Sequence, residues 1–528
     1  MPDAAPSATS DDRSYRRWLI GAVAFAAVVR IRYLVQPLAP DEGGYLAIAR
    51  AWADGGDLYT RFWVDRPQGM MVLFRVGDLF TGPGDGFLRV LAVVLGTSGI
   101  VAAGWMGRRL TGRWEGGALA AVFVSLLSCT PAIEGFTANG ELLSAAFVAP
   151  GMALTLAVVL GRRSRRWLFL AGVLAGLAIS IKQSGYDGLI GTCLWFAAAW
   201  LLRWRDRKDL VVQFLWLMAG LWTTVGLLFL QGTSFGWSAY WDANVGFRLR
   251  SRSALSGAQW DRLGITASIT LGLVVGMLAV VVIAARRSDR PLRSLVEPAR
   301  GLAACWLAGA LLALLTGGNY HRHYWITVVF PLGLVLATLT VDLIGGAPAD
   351  GADAEAGADG VEADGDDAEA DAGADGTGLP AGWPLEPKLL GLACVVPLAV
   401  TALFMVAPRL EQDRRLDQDR AVAEWVREHG AGTNAILLPV CGSASYHVVA
   451  GQTPPYPYLW VDNVIAARDS VSKMEELLAD AAHGPAFVAR YQPTTACDET
   501  GRIEAAIVAN FEPAATVDGI EVLRRRGT

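Results

Sequence analysis

Pro40 to Gly69 reads PDEGGYLAIARAWADGGDLYTRFWVDRPQG, a polar segment with two adjacent carboxylates directly after an apolar run. Asp41 and Glu42 stand where the run Trp18 to Gln36 leaves the membrane. An Asp at the bilayer centre costs about 3 kcal/mol, and the cost falls toward the interface. Acids at that edge either mark the end of a span or serve chemistry, and the pair alone leaves both readings open. Asp65-Arg66-Pro67-Gln68-Gly69 follows in the same segment. Proline restricts the backbone of the residue before it, which helps to aim the Arg66 guanidinium.

The surroundings are membrane protein. Hydrophobic residues make up 53% of the chain and charged residues 18%, too apolar for one soluble domain. Runs of about 20 apolar residues, the length that crosses a bilayer, recur. They predict about eleven spans near 18–36, 87–106, 115–132, 141–160, 167–182, 187–202, 210–231, 263–285, 300–317, 324–345 and 388–408. Arg-rich connections at Arg108-Arg109, Arg162 to Arg166, Arg203 to Lys208 and Arg286 to Arg300 fall on one face. The positive-inside rule makes that face cytoplasmic, so a multi-pass protein of the cell (plasma or inner) membrane with a cytoplasmic N-terminus is expected. No cleavable signal peptide is expected, because the first span follows Arg13, Arg16 and Arg17 and no small-residue cleavage site ends it.

The expected organisation is a cytoplasmic tail over 1–17 and a transmembrane bundle over 18–345 with a large first outer loop at 37–86. A linker over 346–387, a last span over 388–408 and an extracytoplasmic α/β domain over 409–528 follow. The linker holds eleven acidic residues and no basic one between Asp350 and Asp375, so it reads as solvated and disordered. Without it the chain is net positive, although its formal charge is −5. In the first loop, Tyr45 to Ala53 has helical apolar spacing, and a second amphipathic stretch follows Pro67. In the last domain, helices are expected over Ala421–His429 and Val471–Ala482, with strands over Ala435–Val440, Pro485–Tyr491 and Ile520–Leu523. Cys441 and Cys497 both lie in this domain and could bond if it is extracytoplasmic; spacing alone does not decide it.

Two further outer features stand out. Asn139-Gly140-Glu141 opens the fourth span, where Glu141 either caps the helix or lines a pocket. Asn319-Tyr320-His321-Arg322-His323-Tyr324 precedes the tenth, where an interfacial or phosphate-binding role suits the cluster better than a metal. Lys182 reads as a snorkelling anchor. Jointly, acids, Arg66 and a His/Arg cluster on one membrane face suit a lipid that carries phosphate.

The succession P-D-E-x-x-Y-x-x-x-A, D-R-P-Q-G, N-G-E-L and H-Y opening a span resembles the GT-C superfamily of membrane glycosyltransferases. It is most similar to the branch of protein O-mannosyltransferases, the lipid A aminoarabinose transferase and rhizobial lipopolysaccharide transferases. The resemblance implies a mainly α, polytopic GT-C bundle with a small C-terminal α/β domain. It implies inverting transfer of a sugar from a polyprenyl-phosphate donor to an extracytoplasmic protein, glycan or lipid hydroxyl. Asp41 then matches the catalytic base and Glu42 its neighbour, which orients the acceptor or binds a divalent cation. Arg66 stands where relatives carry a phosphate-holding Lys, with Arg322 and His323 as helpers. Gly44 replaces a basic residue of some relatives. Tyr45, Trp63, Asn139, Glu141 and Tyr324 would shape the substrate pocket. No metal or other cofactor is firmly implied, the partners are the lipid-linked sugar, its acceptor and membrane lipids, and no nucleic acid is expected. The competing classes are a transporter or flippase of lipid-linked saccharide, which needs ionisable groups at mid-membrane, and a non-catalytic scaffold.

Overall fold

The computed structural model describes residues 10–34, 36, 38–80, 88–254, 258–287, 297–344, 387–406, 411–430 and 435–527. The acidic stretch expected as a linker, up to residue 386, lies outside them. The membrane part contains α1 (Ser10–Ile31), α2 (Pro40–Ala53), α3 (Gln68–Asp78), α4 (Val90–Thr111), α5 (Trp114–Ser128), α6 (Gly140–Val159), α7 (Trp167–Ile181) and α8 (Asp187–Leu201). It continues with α9 (Arg207–Ser234), α10 (Trp237–Trp241), α11 (Phe247–Ala254), α12 (Ala258–Arg287), α13 (Pro298–Gly317), α14 (Ile326–Ile344) and α15 (Pro387–Val406).

Each expected span falls on a helix, but the count of eleven crossings is not confirmed. Among the described residues seven helices are long and apolar enough to cross a membrane: α4, α6, α9, α12, α13, α14 and α15. The chain is a multi-pass membrane protein. Helices α5, α7 and α8 are apolar but have 15 residues each, about 22 Å at 1.5 Å per residue, short of a 30 Å core. Helix α1 is long but charged, beginning at Ser10 within the expected tail and burying Arg30 completely. Arg30 Nε donates to the Gly135 carbonyl at 2.9 Å, and Nη2 donates to the Ser128 carbonyl at 2.9 Å. It thereby fixes the turn after α5 that carries Glu134.

Helix α2 begins five residues before the expected Tyr45. Pro40 occupies its first turn, where a missing N–H is harmless. Glu42 Oε2 accepts from the Ala39 N–H at 2.8 Å, and both acids complement the positive helix end. The pair therefore heads a helix rather than closing a span.

The C-terminal domain has α16 (Glu411–His429), β1 (Leu437–Val440), α17 (Tyr446–Ala450), α18 (Val461–Ala466), α19 (Ser470–Ala479), β2 (Phe487–Arg490), α20 (Arg502–Asn510), β3 (Phe511–Val517) and β4 (Ile520–Arg525). The sheet order is β1-β2-β4-β3, with β1 and β2 parallel and the other pairs antiparallel. Strand β3 was not expected from the sequence. Asp518-Gly519, with φ of 46° and 81°, closes its hairpin with β4. Cys441 and Cys497 form a disulfide, their Cα atoms 5.7 Å apart.

Four apolar clusters form among the described residues, and two of them are large. One fills the helix bundle. The other joins the first loop to the C-terminal domain, packing Leu46, Val64 and Phe74 with Leu438, Met474 and Leu523.

Candidate functional site

That second core brackets a cavity of about 420 Å³. Asp41, Glu42, Tyr45, Arg66, Asn139, His323 and Tyr324 all border it. Three other expected residues do not. Arg322 is exposed and outside the lining, and its neighbour His321 lines the wall. The residues form a tight 3-10 turn (Arg322–Trp325), which turns consecutive side chains apart. Trp63 is buried between Phe247 and Tyr458, at 4.8 and 5.3 Å between ring centroids, so it belongs to the core rather than to a sugar pocket. Glu141 is buried beneath the lining. It pairs with Lys182, and its Oε2 stands 3.9 Å from His323 Nε2.

Asp41 is half-buried, and its Oδ1 accepts from Trp460 Nε1 at 2.9 Å. Burial pushes its carboxyl above the ordinary carboxylate range, and His323 and Arg66 pull part of the way back. Glu42 is in a different situation. It is 1% exposed and ion-paired with Arg89 at 2.7 Å, and Oε1 also accepts from the Ala138 N–H at 2.6 Å. This engaged, enclosed carboxylate is the one expected to orient the acceptor or bind a divalent cation, and it borders the cavity.

Arg66 donates from Nη1 to Asp65 Oδ2 at 2.6 Å and lies 5.7 Å above the Tyr45 ring. Asp65 also pairs with Arg248 at 2.7 Å, so one carboxylate aligns two guanidinium groups at the cavity wall. Glu134 Oε2 accepts from His323 Nδ1 at 2.7 Å. Burial raises the Glu134 carboxyl, but the His323 hydrogen bond and charge outweigh it and hold it below its ordinary value. Burial and the neighbouring His323 push His321 down to about 3, so it is neutral at pH 7. Asn139, not Glu141, caps α6, accepting from the Leu142 N–H at 2.9 Å. Lys182 is a buried partner of Glu141 with Nζ 3.9 Å from the Tyr324 ring centroid, not an anchor at the lipid surface. Among the described residues, no group of three or more His, Cys, Asp or Glu side chains is arranged to hold a metal ion.

Gly44 has a steric reason to be glycine. A Cβ there would lie 2.5 Å from Trp460 Cζ2 and 2.9 Å from Ala444 Cβ. Gly44→Ala is expected to destabilise the contact between α2 and the C-terminal domain by about 1–3 kcal/mol, the usual range for overpacking. Limited proteolysis of the purified chain checks this, and unaltered protection would contradict the close packing.

Trp460, Arg248 and Glu134 escaped the sequence reading. Arg248 sits in a basic run whose members look alike, and Trp460 is 419 residues from its partner Asp41.

No family model and no curated protein matches the sequence. Solved structures do match the fold. ArnT from Cupriavidus metallidurans bound to undecaprenyl phosphate superposes with a TM-score of 0.62 at 16% identity, over 97% of this chain and 98% of that one. The chain has the GT-C fold. The apo state of the same ArnT gives a TM-score of 0.59 at 16% identity, over 96% and 98% of the two chains. In this fold the head of α2, the Asp65-Arg66 segment, bundle residues such as Glu134, Arg248 and His323, and the C-terminal domain together enclose the cavity.

Proposed function

We propose that this chain is a membrane glycosyltransferase that moves a sugar from a polyprenyl-phosphate donor to an extracytoplasmic hydroxyl, with inversion. The observation that carries the reading is the meeting of Asp41, Arg66 and His323 at one cavity. The undecaprenyl phosphate held by an ArnT of the same fold supports a lipid-phosphate donor. The disulfide supports an oxidising compartment for the C-terminal domain.

In the proposed step the acceptor oxygen attacks the anomeric carbon while its bond to phosphate breaks. Asp41 takes the hydroxyl proton, and the bonding electrons leave with the phosphate. Phosphate needs no acid, only countercharge, which Arg66 and Arg248 supply with His323 beside them. Asp65 aligns the two arginines. Glu42, through Arg89 and the head of α2, holds Asp41 in place. Purified chain, incubated with polyprenyl-phosphate sugars and membrane acceptors, is expected to release free polyprenyl phosphate as an acceptor gains sugar mass. Movement of intact donor across a vesicle without bond cleavage would instead identify a flippase.

Two further outcomes follow from the geometry. Arg66→Ala should raise the donor KM at least tenfold and leave the acceptor KM within twofold; an unchanged donor KM would make Arg66 a mere anchor. Asp41 works as a carboxylate, so transfer should persist at high pH and fall as pH drops through its raised pKa. The acid limb of kcat/KM then lies above the ordinary carboxylate range. Trp460→Phe removes a donor to the charged form and should move that limb higher still. A limb that stays put would separate Trp460 from the base.

A further inference from the structure

The cavity has two unlike walls. The bundle and first loop contribute Arg66, Arg248, His321 and His323 interleaved with the acids Asp41, Glu42, Asp65 and Glu134. The C-terminal domain contributes neutral residues and Asp462, with no Lys, Arg or His among the lining side chains. Within that second wall stands the consecutive segment Trp460-Val461-Asp462-Asn463. Trp460 is half-buried and donates to Asp41. Asp462 is half-buried, and its Oδ2 accepts from Asn319 Nδ2 at 3.3 Å. Asn463 is 3% exposed, yet its Nδ2 has no hydrogen-bond partner. Buried donors are nearly always satisfied, so one left open at a cavity wall marks the place of an incoming oxygen.

We propose that Trp460, Asp462 and Asn463 form the acceptor subsite, and that the acceptor is an uncharged carbohydrate whose hydroxyl is delivered to Asp41. The proposal rests on the glycosyl-transfer reading above. A sugar ring has an apolar C–H face and a rim of hydroxyls that both donate and accept. Trp460 offers an aromatic surface, Asp462 accepts, and Asn463 donates, which matches each part of the ring. Sites built to bond a hydroxyl discriminate strongly against molecules that lack it. A phosphorylated acceptor would bring its charge beside Asp41 and Asp462, where like charges repel. A serine peptide can offer backbone N–H and C=O groups to Asp462 and Asn463, but it has no ring face to lay on Trp460.

The test uses the purified full-length chain and saturation-transfer NMR. The probes are neutral hexose and pentose trisaccharides, the same hexose trisaccharide carrying a 6-phosphate, and a serine-containing pentapeptide. A neutral trisaccharide is expected to give the strongest transfer. Asp462→Asn and Asn463→Ala should each weaken it at least tenfold, while undecaprenyl phosphate binding stays within twofold. Asp462→Asn keeps the side-chain shape, and an unchanged melting temperature shows that it folds. Preference for the phosphorylated sugar or the peptide, no signal from any neutral sugar, or a signal that both variants leave intact overturns the proposal. Failure of the transfer reading looks different: the wild-type chain then binds neutral sugar through these residues but neither binds undecaprenyl phosphate nor cleaves a lipid-phosphate sugar.

Discussion

Asp41→Asn is expected to cut sugar transfer by about 100- to 10,000-fold, the range contributed by a positioned general base, with insertion and melting temperature unchanged. The amide keeps the size of the carboxylate and can still accept from Trp460 Nε1, now 2.9 Å from Oδ1. It cannot take a proton from the acceptor. Asp41 is also not locked in an ion pair of the kind that encloses Glu42, so its replacement strands no buried cation. Loss of product with retained donor binding locates the defect in the chemical step. A variant that transfers at the wild-type rate would remove Asp41 from the mechanism.

The second large effect concerns stability. Arg89→Ala should lower stability by about 3–5 kcal/mol, because it leaves the Glu42 carboxylate enclosed without its cation. Both side chains are 1% exposed, and the Arg89 guanidinium also donates from Nη1 to the Tyr33 carbonyl at 2.8 Å. One arginine therefore ties the end of the first helix to the head of α2. Thermal unfolding in detergent measures the loss. The paired change Glu42→Gln with Arg89→Met should recover much of it, since a neutral amide and an apolar side chain can replace a buried ion pair at little net cost. A single variant as stable as the wild type would mean that water reaches the pair.

Hydropathy made the helices legible, because a lipid solvent imposes one pattern on every segment that it touches. The crossings were less legible. Length separates the 22-residue α4 from the 15-residue α5, whose apolar run continues to Cys129 and then meets Pro131, which lacks a backbone donor. In the C-terminal domain, β1, β2 and β4 showed as apolar runs. Strand β3, FEPAATV, hid behind Glu512 and Pro513, although the Asp518-Gly519 hairpin signal stood beside it. At the cavity, local motifs exposed Asp41 and Arg66. Local motifs could not expose Trp460, one tryptophan among 19, because its importance lies in a contact that only the folded chain creates.

The apolar core shared by the first loop and the last domain has a consequence for biogenesis. A ribosome that has released α2 and α3 has already made the proposed base, yet nothing covers the face that carries it. The cavity closes only when the final 120 or so residues have been made and have folded back against the first loop. Half-made molecules should therefore be inert in the proposed transfer, because one wall of the cavity is still missing.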